Sequence, residues 1–336
     1  MIDFESALSS ICKKQDATIQ EIVALLNASG SRQRVLFNTA YEKRNVLVGD
    51  KLFVRLCIEA SNICGNSCLF CGITRKNKKL KRYKLSVGAI KNIIRIHATQ
   101  DVDIIQLSSG EGNFYTMQDL SEIIKEAKKY CDNITIGIGH KNFSCYKKLF
   151  EDGATNYLAK FETSNAEEYK IMRPESALKE RLEHLNYAKS IGYRIASGNI
   201  VGLLNQNPDD IASDLLLMKK LGLYMAESSI FCPTAGSEFE NEKKGDLDLA
   251  LNCVAISRLL NCAPLILASS SLAERIGDAF MAGANYISIH AAPEDVFYNY
   301  SIYGGSSRKR LTVGHIDKFR KLLVQKELNA GCVIKN

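Results

Sequence analysis

From Lys51 onward the chain alternates short apolar runs with longer amphipathic segments, the pattern produced by repeated βα units. The apolar runs are LFVRLCIEA (52–60), VDIIQLSS (102–109), NITIGIG (133–139), TNYLAKFE (155–162), YRIASGNIVG (193–202), YMAESSIF (224–231), PLILASS (264–270) and NYISIH (285–290). Helical periodicity falls between them, near 86–99, 116–131, 142–152, 175–191, 207–221, 246–261 and 271–282. Several runs follow a glycine suited to ending a helix, as in EDGATNYLA, SIGYRIA and MAGANYISI. Eight strands separated by helices predict an α/β fold, a (βα)8 TIM-type barrel. A doubly wound open sheet is the alternative, but no G-x-G-x-x-G follows the first strand, which removes its usual support. The first 45 residues read as helices, with ATIQEIVALLNAS apolar at helical spacing and broken at Gly30-Ser31. The expected division is an N-terminal helical cap over 1–48, the barrel over 49–310, and a short C-terminal extension of helix and tail over 311–336.

Composition narrows the class. Hydrophobic residues make up 46% of the 336 and charged ones 24%, enough for one large buried core. The start, MIDFESALSSICKKQD, lacks the basic and apolar regions of a secretory signal, and no segment approaches a membrane span. A cytoplasmic protein with no membrane association is expected. The formal charge is +7, but the basic residues form no stripe interleaved with aromatics, so nucleic acid is not an expected partner. Eleven cysteines in such a chain point to metal or redox chemistry rather than a disulfide framework.

In a parallel barrel the chemistry lies at the carboxyl ends of the strands. Cys64, Cys68 and Cys71 follow strand 1, Ser109-Gly110-Glu111 follow strand 2, and His140 follows strand 3. Glu162 ends strand 4, Asn199 lies on strand 5, Cys232 follows strand 6 and His290 ends strand 8. The three clustered cysteines have the spacing C-x3-C-x2-C. Structural zinc takes four ligands, commonly from two C-x2-C pairs, and no second pair is present. Cys57 alternates with Val54 and Leu56 and reads as a small core residue. Three thiolates suit a 4Fe-4S cluster with one iron left for an outside ligand.

The segment EASNICGNSCLFCGITRKNKKLKRY resembles the cluster loop of the radical S-adenosylmethionine (SAM) superfamily. The likeness is to its biotin synthase-like branch, nearest to the di-iron hydrogenase maturase and archaeal lipoyl-synthase-like members. LSSGEG, FETSNAEEYKIMRPESALKERL, SGNIVGLLNQNPDD and NEKKGDLDLAL follow in family order. The resemblance implies that Cys64, Cys68 and Cys71 hold the cluster and that its open iron chelates the methionine end of SAM. Phe70 would lie beside the adenine, and Ser109, Gly110 and Glu111 would receive the amino group. Glu162 would accept the ribose hydroxyls, Arg181 would clamp the carboxylate, and Asn199 joins this set from strand 5. Reductive cleavage of SAM would then give methionine and a 5'-deoxyadenosyl radical that abstracts hydrogen from a substrate.

Within that branch the expected reaction is sulfur insertion of the lipoyl-synthase type in cofactor biosynthesis, suggested by the tail MAGANYISIHAAPEDVFYNYSIYGGSSRKRL. A hydrogenase cofactor maturase or a methylornithine synthase-like enzyme is the alternative, and a non-catalytic iron-sulfur carrier the alternative from another class. The positions matching the second cluster of biotin synthase hold Gln106, Thr135, Ala196 and Ile266, which argues against ordinary biotin synthase. Whether other cysteines, Cys232 foremost, hold an auxiliary cluster stays open, and Cys332 alone stands near the C-terminus. Expected partners are a second radical SAM protein or a carrier-protein substrate, and an acidic electron donor of the ferredoxin or flavodoxin kind. The donor would be drawn to Arg75, Lys76, Lys78, Lys79, Lys81, Arg82 and Lys84.

Overall fold

A computed structural model of the chain describes residues 2–302; the expected C-terminal helix and tail, with Cys332, lie outside the described residues. Eight parallel strands run β1 (Phe53–Ser61), β2 (Ile104–Ser109), β3 (Ile134–Gly137), β4 (Asn156–Leu158), β5 (Arg194–Val201), β6 (Met225–Ile230), β7 (Leu265–Ile266) and β8 (Tyr286–Ala291). Their order is β7-β6-β5-β4-β3-β2-β1-β8. One bridge, Leu267 to Tyr286, brings the two ends together, and Ala268 N donates to Tyr286 O at 2.9 Å. The strands form the nearly closed (βα)8 barrel that the alternating pattern predicts.

The first strand shows why the sequence folds this way. Val54, Leu56, Ile58 and Ala60 belong to the main hydrophobic core, while Arg55, Cys57 and Glu59 line the barrel interior. Successive side chains point to opposite faces of a strand, so RLCIE feeds the helix layer and the interior in turn. The helix layer comprises α4 (Val87–His97), α5 (Met117–Ala127), α6 (Phe143–Glu151), α7 (Ala166–Met172), α8 (Leu178–Ser190), α9 (Pro208–Leu221), α10 (Leu247–Leu259), α11 (Ile276–Met281) and the single turn α12 (Glu294–Phe297). Helix α9 shows its signals plainly: Asn207 and Asp210 form a capping box, Pro208 opens the first turn, and Gly222 closes the helix at φ 59°.

Three N-terminal helices, α1 (Phe4–Lys14), α2 (Ile19–Leu26) and α3 (Gly30–Val48), pack on the outer faces of α9, α10 and α11. The Gln33 amide donates to Asn252 Oδ1 at 3.0 Å, and Lys43 Nζ to Leu259 O at 2.9 Å. Asn252 in turn donates to Leu26 O and Ala28 O. Helix α10 is thereby covered on all sides and is buried continuously from Ala250 to Leu259. No helix among the described residues is long and apolar enough to cross a membrane.

The fourth strand is shorter than its apolar run. Ser197 Oγ donates to Ala159 O at 2.8 Å and accepts from Phe161 N at 3.3 Å, so a hydroxyl interrupts the ladder. Pairing resumes at Glu162, whose N–H donates to Gly198 O at 3.0 Å while its carbonyl accepts from Ile200 N at 2.8 Å. The detour leaves Glu162 at φ 64°, a left-handed conformation that costs a non-glycine residue free energy.

Gly198 sits where β5 passes closest to β6: a Cβ there would lie 1.8 Å from Glu227 O. Gly198→Ala should therefore lower the thermal midpoint, at a cost of about 1–3 kcal/mol or more from overpacking. Gly88→Ala, on α4 with no neighbour of its Cβ nearer than 3.9 Å, should raise the midpoint by up to about 1 kcal/mol of helix propensity. A Gly198→Ala protein as stable as its parent would contradict this approach of the two strands.

Candidate active site

After β1 the chain enters a loop, residues 62–83, with neither helix nor strand. Its shape is set by side chains that reach back to its own backbone. Arg82 donates to the carbonyls of Asn62, Ile73, Thr74 and Asn77 at 2.7, 2.9, 2.5 and 3.1 Å. Asn62 accepts from Tyr83 N and donates to Lys81 O and Asn299 O. Gly65 N donates to Glu111 O at 2.7 Å, and a Cβ on Gly110 would stand 2.1 Å from Ile63 O. Glycine at 110 lets the turn after β2 press against the cysteine loop.

Cys64, Cys68 and Cys71 all face one cavity of about 250 Å³ at the mouth of the barrel. Burial pushes the Cys68 thiol up to about 11 and raises Cys71 as well; buried thiols of this kind become thiolates where a cation compensates them. Two groups among the described residues bring three metal-ligating atoms within 4.8 Å of one another, Cys57–Glu59–His290 and His140–Glu180–His184. The cysteine triplet is not one of them. A single zinc with bonds near 2.3 Å needs its sulfurs closer together, whereas a multi-iron cluster gives each thiolate its own iron.

Beside the loop lies an ion network that joins three elements. Glu111 Oε2 accepts from Arg173 and from Arg181, each at 3.4 Å. Arg173 also stands 3.7 Å from Glu162 Oε1, and Lys160 lies 3.6 Å from Glu162 Oε2. Arg181, 3% exposed, donates through Nε to Tyr169 OH at 3.3 Å. Burial would raise the Glu111 carboxyl, but Arg181 and Arg173 overcome it and hold the group at about 2. Three cations against two carboxylates leave one positive charge in excess, which suits a ligand carboxylate. Gly139, at φ 72°, keeps Glu111 in place, since a Cβ there would meet Glu111 Cγ at 2.1 Å.

Most residues singled out from sequence meet here. Phe70, Ser109, Gly110, Glu111, Glu162, Arg181, Cys232 and His290 border the same cavity as the cysteine triplet. Phe70 also packs with Met172, Ile200, Leu203, Phe231 and Phe239. Asn199 is placed elsewhere: fully buried, it donates to Asp214 Oδ2 of α9 at 3.1 Å, on the outward face of β5. His140 stacks on His184 at 3.9 Å, and burial together with Arg181 lowers its pKa to about 3, which keeps it neutral. Cys57 is buried, as its neighbours suggest, but on the inner face of β1, where it lines the cavity beside Ser108 Oγ at 3.3 Å. Sequence reasoning passed over Arg173, whose one signal is a charged residue just before Pro174 at a helix end. It also passed over the buried pair Arg55–Glu227 at 2.5 Å, extended by Tyr286 OH on Glu227 at 2.8 Å and Ser288 Oγ on Arg55 at 2.9 Å.

The basic run is largely paired within the chain. Arg75 meets Glu175, Lys76 meets Glu238 at 3.0 Å and Lys79 meets Glu240 at 3.3 Å. Arg82 serves the loop, and Lys84 lies over the Tyr115 ring. Among the described residues, Lys78 and Lys81 stay exposed without a salt bridge.

The model of the radical SAM superfamily matches residues 58–218. The FeFe-hydrogenase maturase subunit HydE of Thermotoga maritima is 35% identical over 274 residues, covering 80% of this chain and 79% of that protein. The 3-methylornithine synthase of Methanosarcina acetivorans is 29% identical, covering 80% and 77%. The crystal structure of methylornithine synthase, PylB, superposes with a TM-score of 0.84 at 21% identity over 95% of this chain and 96% of that one. The family implies a 4Fe-4S cluster and SAM. Three separated thiols around an open cavity, with a surplus cation beside them, fit both.

If the guanidinium pair serves SAM, Arg173→Ala and Arg181→Ala should each weaken its binding roughly 10- to 150-fold, the loss of about 1.5–3 kcal/mol for a charged hydrogen bond. Iron per chain should stay at the parent level. Equilibrium dialysis showing parental affinity in both variants would confine the pair to holding the fold.

Proposed function

This chain belongs to the radical SAM superfamily and is a radical SAM enzyme, and from that premise we propose that it takes hydrogen from a small, polar, amino-acid-like substrate held inside the barrel. When bound, the cluster supplies the electron that cleaves SAM to methionine and a 5'-deoxyadenosyl radical. The chain's own residues do the rest. Cys64, Cys68 and Cys71 hold the cluster at the mouth. Glu111 offers an anionic acceptor to the methionine amino group, the arginine pair supplies charge for its carboxylate, and Glu162 presents its carboxylate toward the ribose. Phe70 lies where an adenine face can rest. Tyr300 and Ile302, which also border the cavity, help keep water from the site.

The observation that carries the substrate class is the lining below this mouth. Arg55, Cys57, Glu59, Gln106, Ser108, Lys160, Glu227, Ser288 and His290 all face the interior. Buried charges and hydrogen-bonding groups of both signs suit the polar ends of a compact zwitterion, and the apolar side chains that share the lining, such as Leu158, Ile200, Ile230 and Leu267, suit its short carbon chain. A relative named for making 3-methylornithine agrees with this class. Sulfur insertion into an octanoyl chain stands second. Beyond the triplet the cavity offers Cys57 and Cys232, so a partner protein would have to help supply sulfur. The electron is assigned to an acidic carrier docking near Lys78 and Lys81.

The test is deoxyadenosine production by the reduced holoenzyme with SAM, across free amino acids, their decarboxylated and methylated relatives, and an octanoylated carrier protein. A compound of the amino-acid class should raise turnover well above the uncoupled rate, and deuterium on that compound should appear in the deoxyadenosine. Stimulation by the octanoylated carrier alone would overturn the reading in favour of sulfur insertion.

A further inference from the structure

We propose that Cys57, Glu59 and His290 form a second metal site inside the barrel, built for one borderline divalent ion of the zinc type and separate from the three-cysteine loop. The topology places the donors together. Strands β1 and β8 pair in parallel with Cys57 directly beside His290. Glu59 follows two residues after Cys57, on the same face of β1. One donor atom from each side chain lies within 4.8 Å of the other two, and His290 Nδ1 is 2.9 Å from Glu59 Oε1.

The surroundings are short of hydrogen bonds in the way a site awaiting a guest would be. The His290 side chain is 10% exposed, and its Nε2 is buried without a partner. Gln106, 4% exposed, donates its Nε2 to Ser108 Oγ at 2.7 Å and more distantly to Cys57 Sγ at 3.6 Å, while its Oε1 is buried and unpaired. Leaving such groups unsatisfied is costly, and a bound ion with its remaining ligands would relieve that cost.

The donor set selects the ion. A thiolate, an imidazole and a carboxylate suit zinc or a similar first-row ion, while calcium and magnesium prefer oxygen throughout. Three protein ligands leave a fourth position open, the arrangement of catalytic rather than structural zinc sites. All three side chains border the cavity shared with the cluster loop. Buried Tyr300 borders that cavity too, together with Cys57, Glu59 and Cys71, so the two sites share one space. The open position would take an amine, carboxylate or thiol of the substrate and fix the reacting carbon beneath SAM. That positioning role rests on the radical reading, whereas binding of the ion does not.

The experiment uses anaerobically reconstituted holoenzyme, its cluster iron measured, incubated with one equivalent of Zn2+ and passed through gel filtration. About one zinc per chain should be retained with no loss of iron. Zinc-edge X-ray absorption should show one sulfur near about 2.3 Å, with nitrogen and oxygen at about 2.0–2.1 Å. Cys57→Ser, nearly isosteric, should abolish the sulfur shell. His290→Gln and Glu59→Gln should each release the zinc on gel filtration while cluster iron stays at the parent level, which also reports that the variants fold. No retained zinc in an iron-replete parent, a shell of three sulfurs showing that zinc has taken the loop cysteines, or a spectrum unaltered by Cys57→Ser would each overturn the proposal. Loss of iron or of the SAM response would instead count against the cluster reading.

Discussion

Four backbone carbonyls of an irregular loop converge on the guanidinium of Arg82, and the site depends on that convergence. Between Asn62 and Tyr83 no ladder satisfies the backbone, so its polar groups need side-chain partners. Arginine offers five donors in a rigid plane, and here most of them tie the start of the loop to its middle and end. Ordering some twenty residues is entropically costly at about 1–2 kcal/mol each, and these bonds offset it together with backbone bonds such as Arg75 N to Asn66 O and Leu69 N to Met172 O. From this fixed loop the remaining contacts follow: Gly65 bonds the turn after β2, Glu111 in that turn receives the arginines of the strand 4 excursion, and Arg173 leads back to Glu162.

A second constraint lies beneath the mouth. The Arg55–Glu227 pair is buried between opposite sides of the barrel, with side chains 6% and 5% exposed. Such a pair contributes little net stability, since desolvation offsets attraction, but removing one partner leaves an isolated buried charge. Around it the cavity is lined by polar groups from Arg55 up to His290 and by apolar side chains such as Leu158, Ile200, Ile230 and Leu267, so polar groups on a guest would find partners there. The same inward faces of β1 and β8 bring Cys57 and His290 together.

Much of the barrel was legible because parallel strands announce themselves as apolar runs. The cysteine triplet was legible because its spacing is unusual. Parity was harder to read. A barrel strand is buried on both faces, so Asn199 could be assigned to strand 5 but not to its outward side, against Asp214. Cys57 shows the same ambiguity in the other direction, buried as it reads but facing the cavity. The break after Leu158 depends on one hydroxyl, Ser197, and α7 is a seven-residue helix too short to show a period. Pairs such as Arg55 with Glu227 or Arg181 with Glu111 join residues far apart in sequence and become visible only once the strands have closed. The pairing within the basic run was hidden for a related reason: charge is apparent in sequence, but the acidic partners of Arg75, Lys76 and Lys79, at Glu175, Glu238 and Glu240, come from distant loops.

Whether the three fixed thiols hold one cluster with an iron open to SAM is read in the electron paramagnetic resonance spectrum of the reduced, reconstituted holoenzyme, recorded with and without saturating SAM. A single 4Fe-4S signal is expected whose shape and g-values change when SAM binds, because SAM would reach the cluster itself. A signal indifferent to SAM, or a colourless protein that takes up zinc on Cys64, Cys68 and Cys71 in place of iron, would contradict that expectation.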